Sequence, residues 1–409
     1  MGKILKLGLF GFGCVGQGLY HVLHETRGIK AEIKKICIKH PEKKRSLPDS
    51  FFTLDKAVIL HDPEIDVVVE LIDDADAAFA ILKEALQNGK HVVTANKKML
   101  AENLEEVYHL QQQYGRSVLY EGAVCGSIPI IRNLEEYYDN DLITEVCGIF
   151  NGSTNYILSK IFNEEKSYAE ALAEAQQLGF AESDPTLDVA GFDPKYKLAI
   201  VLAHAFGVFV KPDDITNIGI DRISADDLDY ARENKLAVKL VACAFKTDNA
   251  IHALVAPQFV ENDNSLRHIQ NEYNAVQVRG AFSEKQLFIG KGAGGYPTGS
   301  AVLSDISALR YGYRYEYRKL QQHSDVRFSN DIAVRTFVRL PAEQGIPLNN
   351  FQEVESGYAG AHSQYLCGRL PFNKLKTWSS DSRVGFILAP EPDFVPALAT
   401  VNANTLLVA

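Results

Sequence analysis

The sequence predicts an α/β protein: a doubly wound parallel sheet of the Rossmann type, then a mixed α+β domain, then a small C-terminal α+β appendage. Three observations carry this expectation. Through the first 125 residues, short β-rich runs alternate with longer amphipathic ones. Those short runs are nearly continuous in Val, Ile and Leu, as in strands covered by helices on both faces. From about Ser127 the alternation stops, and β-like stretches follow with fewer helices between them, the texture of a mixed sheet.

Residues 6–10 read as a first buried strand, because they are apolar and run straight into glycines, and residues 15–26 as the helix that follows. The βα step then repeats: strands at 32–38, 66–72, 91–95 and 117–121, with helices at 75–88 and 100–114. In the second part, strands are expected at 143–150, 238–245, 250–255 and 275–280, and helices at 168–178 and 194–206. A glycine-rich loop at 290–300 leads to a helix at 300–321 that could return to the first sheet. Beyond Asp325 come strands at 333–340, 363–370 and 384–388, with no clear helix after the first. The domains expected are 1–126 (completed by about 297–322), 127–296 and 325–409.

Composition bounds the function. With 46% hydrophobic and 23% charged residues in 409, disorder, collagen and coiled coil are excluded. A net charge of −10 disfavours general attraction to nucleic acid or an anionic membrane. Six scattered cysteines with no CxxC pair argue against a zinc site and a secreted disulfide framework. No apolar run reaches the roughly 20 residues that span a bilayer, and the start is too short for a signal peptide. The reading is a soluble, cytoplasmic protein.

Gly11-Phe12-Gly13-Cys14-Val15-Gly16 lies between the first strand and the first helix. There the first glycine permits a tight turn, the second lets backbone approach a pyrophosphate, and the third lets helix pack on strand. After the second strand the chain reads Lys39-His40-Pro41-Glu42-Lys43-Lys44-Arg45, with no carboxylate at the strand end to bond a ribose 2′-hydroxyl. This run is either a solvated charge cluster or a 2′-phosphate site; the latter favours NADP(H), with NAD(H) as the alternative. Thr94-Ala95-Asn96-Lys97-Lys98 ends a strand where ligands bind in open α/β sheets, so one lysine is expected to face the crevice.

Glu182, Asp184 and Asp188 crowd one loop ahead of Asp193-Pro194 and Lys197. Asp193 as N-cap with Pro194 at the first helical position makes a helix start, and Lys197 lies one turn on, on the same face. The segment is either a capped helix with an acidic solvated turn, or an acidic pocket and held lysine for a substrate bearing an ammonium group. Cys125 is either a thiol nucleophile or a small packing residue.

Together these motifs, with Gly148 to Tyr156 and Gly290 to Gly295, resemble homoserine dehydrogenase in the family's order over about residues 5–320. The resemblance implies interconversion of L-homoserine and L-aspartate 4-semialdehyde with NAD(P)H in threonine, methionine and isoleucine synthesis. It also implies a homodimer formed through the second domain, or a homotetramer. By position, Glu182 and Asp193, with Ser153 and Asp188, are similar to the substrate-holding residues. Lys197 looks like the acid/base lysine and Lys97 like the lysine between cofactor and substrate. Gly179 and Gly294 match positions near the nicotinamide. Glu121, with backbone at Val124, Gly126 and Ile128, is similar to the family's sodium or potassium site. Three departures are visible: Asp73-Asp74 replaces paired glycines, Ser153 replaces the commoner Thr, and the C-terminal segment lacks a full ACT pattern. The competing readings are another semialdehyde-type oxidoreductase, which would need a catalytic cysteine, and a non-catalytic dinucleotide sensor.

Overall fold

Six parallel strands, β1 (Leu5–Phe10), β2 (Ala31–Cys37), β3 (Phe52–Thr53), β4 (Val67–Glu70), β5 (His91–Thr94) and β6 (Val118–Leu119), pair in the order β3-β2-β1-β4-β5-β6. Helices α1 (Cys14–Glu25), α2 (Ala57–Leu60), α3 (Ala75–Gln87) and α4 (Lys97–Tyr114) connect them. All four residues of β4 are buried, as its unbroken apolar run requires. The order reverses between β1 and β4, so the loops leaving the carboxyl ends of β1, β4 and β5 open onto one crevice. A computed structural model of the chain describes residues 4–139, 142–247, 250–322, 326–344, 348–359, 363–378 and 383–390. Asp325 and residues 391–409, part of the expected appendage, lie outside those described.

A single turn, α5 (Ile130–Arg132), leads into an eleven-stranded sheet. Its main path is β12-β11-β7-β9-β10-β17-β14-β16-β15, with β8 (Thr216–Asn217) and β13 (Arg327–Phe328) also pairing β10. The strands are β7 (Ile143–Ile149), β9 (Ala237–Thr247), β10 (Ala250–Val260), β11 (Tyr273–Gly280), β12 (Glu284–Lys291), β14 (Ala333–Pro341), β15 (Glu353–Ala359), β16 (Ser363–Pro371) and β17 (Gly385–Leu388). Between them lie α6 (Gly152–Glu164), α7 (Tyr168–Gln177), α8 (Thr186–Val189), α9 (Phe192–Phe206) and α10 (Ala225–Glu233). Of α9, all but Phe192 and Tyr196 are buried, because it packs between α4 and the second sheet.

The chain returns to the first sheet through α11 (Gly295–Leu309) and α12 (Arg318–Gln322). α11 lies so close to α1 that a Cβ on Gly18 would fall 2.0 Å from the Gly295 carbonyl oxygen. The single helix expected over 300–321 is therefore two. Between them Tyr313, Tyr315 and Tyr317 alternate with Arg314 and Glu316, a period-two pattern that buries Tyr315 and Tyr317 against Tyr120 and His204. β12 lies outside the strands expected, since its apolar run, Leu287-Phe288-Ile289, is only three residues long and none of its residues is buried.

The C-terminal strands, closed by α13 (Phe372–Trp378), join the second sheet where Leu388 pairs Gln258. Their apolar face shares one core with Ile218, Phe245, Leu254 and Ala256. Cys147 and Cys243, 96 apart in sequence, face each other across β7 and β9 with Cα atoms 4.0 Å apart and sulfurs joined, a pairing that spacing does not reveal.

Candidate active site

The crevice encloses about 610 Å³. Gly11 has φ +93°, and a Cβ there would stand 2.6 Å from the Leu71 carbonyl oxygen; at Gly16 it would stand 2.8 Å from that of Gly11. A Cβ at Gly13 would meet nothing within 4 Å, which leaves the loop's outer face open to a ligand. Gly13 caps α1 without a side chain, so the helix's first N–H groups and positive dipole end face the crevice beside Cys14 and Val15. Phe12 instead packs edge-on against Phe52, 5.6 Å between centroids. Asp73 lines the crevice, while Asp74 caps α3 through the Ala77 N–H at 3.0 Å.

Lys39 is exposed and does not line this crevice. Arg45 folds back, donating to the carbonyls of Lys43 (2.7 Å) and His40 (2.6 Å), with its guanidinium 5.3 Å from the Phe52 ring centre. With Ile38, Lys43 and Lys44 it lines a neighbouring depression of about 590 Å³.

Asn96 caps α4 by accepting from the Met99 N–H at 3.0 Å, so Lys97 stands at the first helical position, 41% exposed in the crevice. At α9 the expected N-cap is corrected: Gly191, with φ +81°, takes the cap position, and Asp193 lies inside the first turn. Freed from capping, its carboxylate bridges both lysines, 3.1 Å from the Lys97 Nζ and 2.7 Å from that of Lys197. Lys197 is buried and also donates to the Phe150 carbonyl at 2.7 Å. Burial alone would raise Asp193, but the ammonium groups of Lys197 and then Lys97 outweigh it and hold the carboxyl well below its usual range. Asp193 in turn raises Lys97.

Asn151, which sequence reasoning did not single out, organises the acidic wall. Its amide donates to Asp188 (2.6 Å) and Asp193 (2.8 Å), and its oxygen caps α6 through the Thr154 N–H. An Asn at a strand-to-helix junction is the signal that could have found it. Burial, then the charge of Asp193, raises Asp188. Glu182 is exposed at the rim, whereas Asp184 turns away to accept from Thr186. Ser153 lines the crevice and donates to the Phe180 carbonyl at 2.5 Å. Gly179 and Gly294, with φ +76° and +117°, also line the crevice.

Glu121, Val124, Gly126 and Ile128 do not line the crevice; they form the loop behind it. Glu121 is 2% exposed, and its oxygens accept from the N–H groups of Ile131 (2.8 Å) and Arg132 (3.0 Å). Its own N–H donates to Asp305 at 2.8 Å. Burial pushes Glu121 up to about 7 and raises Asp305 far above its usual range. Arg132 lies 3.7 Å from Glu121 and 3.3 Å from Asp305, one guanidinium against two buried carboxyls. Cys125 is fully buried and burial pushes its thiol up to about 11, so it is a packing residue rather than a thiolate nucleophile.

Residues 11–121 match the family model described as homoserine dehydrogenase, NAD binding domain, and residues 129–307 the one described as homoserine dehydrogenase. The chain is 34% identical to the homoserine dehydrogenase of Bacillus subtilis over 371 residues, 87% of this chain and 85% of the relative. It is 39% identical to that of Synechocystis over 313 residues, 74% and 72% of the two. Among solved structures, a homoserine dehydrogenase from Thiobacillus denitrificans is similar with a TM-score of 0.85, 28% identity, and 95% and 99% of the two chains covered. A hyperthermophilic archaeal homoserine dehydrogenase mutant in complex with NADPH is similar with a TM-score of 0.66 and 25% identity, over 76% of this chain and 99% of that one.

Proposed function

The chain belongs to the homoserine dehydrogenase family, and from that premise we propose how its own residues run the NAD(P)-dependent interconversion of L-homoserine and L-aspartate 4-semialdehyde. The observation that carries the reading is the carboxylate of Asp193 bridging Lys97 and Lys197 in a crevice continuous with the glycine loop. The nicotinamide, when bound, supplies or accepts the hydride. In reduction, negative charge develops on the aldehyde oxygen, and Lys197 donates the proton there. Lys97, at the mouth, adds positive charge between cofactor and substrate. Asp193 holds both lysines. Asp188, Glu182 and Ser153 receive the substrate's ammonium group and polar atoms.

NADP(H) is the preferred cofactor in this reading, since Lys39 lies just past β2 and Lys43, Lys44 and Arg45 outnumber Glu42 and Asp49 among the residues that line the depression beyond it. The residues around Glu121 fit sodium or potassium: a carboxylate with backbone carbonyls of Val124, Gly126 and Ile128 is a hard donor set. The two buried carboxyls outnumber the one guanidinium beside them. Such a cation braces the loop that joins the two sheets. We also assign a cytoplasmic homodimer or homotetramer; the exposed Phe282 (84%) and Ile289 (54%) on the β11–β12 hairpin are consistent with a covered face. The test is NADPH oxidation by the pure protein on adding aspartate 4-semialdehyde, slowed at least about a hundredfold in Lys197→Ala.

A further inference from the structure

Lys239, on β9 and outside the residues that line the crevice, is the least exposed lysine among the described residues, at 2%. Its ammonium donates to the Asn155 side-chain oxygen at 2.9 Å and the Ile269 carbonyl at 2.6 Å, both neutral acceptors. It lines a pocket of about 270 Å³ with Arg232, Lys235 and Arg267. Of the twelve lining residues four are cationic and, among the described residues, none is acidic. Arg267 donates to the carbonyls of Lys235 and Val260, both at 3.1 Å. Arg232 reaches the Ile161 carbonyl at 3.4 Å and pairs with the exposed Asp229 at 3.0 Å.

Like charges gathered around a buried ammonium raise the free energy unless an opposite charge joins them. Burial first, then the guanidinium of Arg267, pushes Lys239 down to about 7. If Lys239 merely anchored the turn at Ile269, a neutral amide donor would serve without setting a buried ammonium near the Arg267 guanidinium. We propose that this pocket binds a small dianionic oxyanion, inorganic phosphate or the phosphate of a phosphomonoester, held chiefly by Arg267 and Lys239.

The test is equilibrium dialysis of radiolabelled sulfate against the whole protein carrying one bound NADP⁺ per chain with no free excess, which fills the dinucleotide's own phosphate sites without offering a free 2′-phosphate to the pocket. Sulfate keeps its charge across the range, so only the protein titrates. One sulfate per chain is expected, weakened at least tenfold by Arg267→Gln and by raising the pH from 6 to 8, where Lys239 loses its proton. Phosphoserine displacing sulfate better than phosphate does identifies the ester; the reverse identifies free phosphate. Sulfate binding unchanged in Arg267→Gln, and in Lys239→Met if that variant folds, overturns the proposal. So does acetate competing as well as phosphate, which would make the pocket a carboxylate site.

Discussion

Replacing Lys197 with alanine removes two hydrogen bonds at once, 2.7 Å to Asp193 and 2.7 Å to the Phe150 carbonyl. The group lost is the one assigned to protonate the aldehyde oxygen. Removing a positioned acid lowers kcat by roughly 10²- to 10⁴-fold, about 2.7 to 5.5 kcal/mol of barrier. Stability should fall much less steeply. Asp193 keeps Lys97 at 3.1 Å and the Asn151 amide at 2.8 Å, so the buried carboxylate is not stripped of partners. The loss is therefore that of hydrogen bonds to a buried group, about 1–3 kcal/mol, rather than the roughly 3–5 of an orphaned buried charge. KM for the semialdehyde should change little, because Glu182 and Asp188 remain. The assay is initial-rate NADPH oxidation on variant protein whose melting temperature and dinucleotide affinity are measured alongside. A folded Lys197→Ala that binds cofactor normally and keeps kcat within about threefold refutes the assignment, since that lies well short of a general acid's worth. Lys97 would then be the preferred proton donor.

Asp193→Asn removes the charge that most strongly raises Lys97, so the alkaline limb of the kcat/KM profile should move to lower pH; an unmoved limb separates Lys97 from the titration. Glu121, raised by burial to about 7 from an unfolded value of 4.5, binds extra protons when folded, so without a cation stability should fall as the pH rises from 4.5 through 7, by at most about 3.4 kcal/mol. Sodium or potassium competes with that proton, so the melting-temperature gain over a bulky organic cation should be larger at pH 8 than at pH 5.5 and vanish in Glu121→Gln. Equal gains at both pH values would sink the cation site. Lys39→Ala and Arg45→Ala should shift the kcat/KM ratio of NADPH to NADH toward NADH; an unchanged ratio in both removes them from cofactor choice. A chain ending at Gln322 should still transfer hydride where it folds, although it exposes the apolar face of Ile218, Phe245, Leu254 and Ala256 and should melt lower; a folded, cofactor-binding truncation without turnover would refute this.

The parallel sheet and the glycine loop were legible because their causes are local. A strand buried on both faces must be apolar throughout, and Gly11 must be glycine to adopt φ +93° against the Leu71 carbonyl. Lys97, Asp193 and Lys197 could be singled out for the same reason: a strand end and one helical turn place charged groups predictably. Their meeting could not. Asp193 reads as an N-cap until Gly191 takes that position, and only the approach of α4 to α9 brings Lys97 within 3.1 Å. Asn151 acquires its role from two aspartates 37 and 42 residues away. The helix expected over 300–321 breaks because the buried faces of Tyr315 and Tyr317 are set by Tyr120 and His204, some 200 residues upstream in the one case. The pairing of Cys147 with Cys243, the junction of the C-terminal strands with β10, and the cations around Lys239 were equally invisible. Local periodicity reports which face of an element seeks the core, whereas the partner across that core is chosen by packing among segments far apart in the chain, and only tertiary structure decides it.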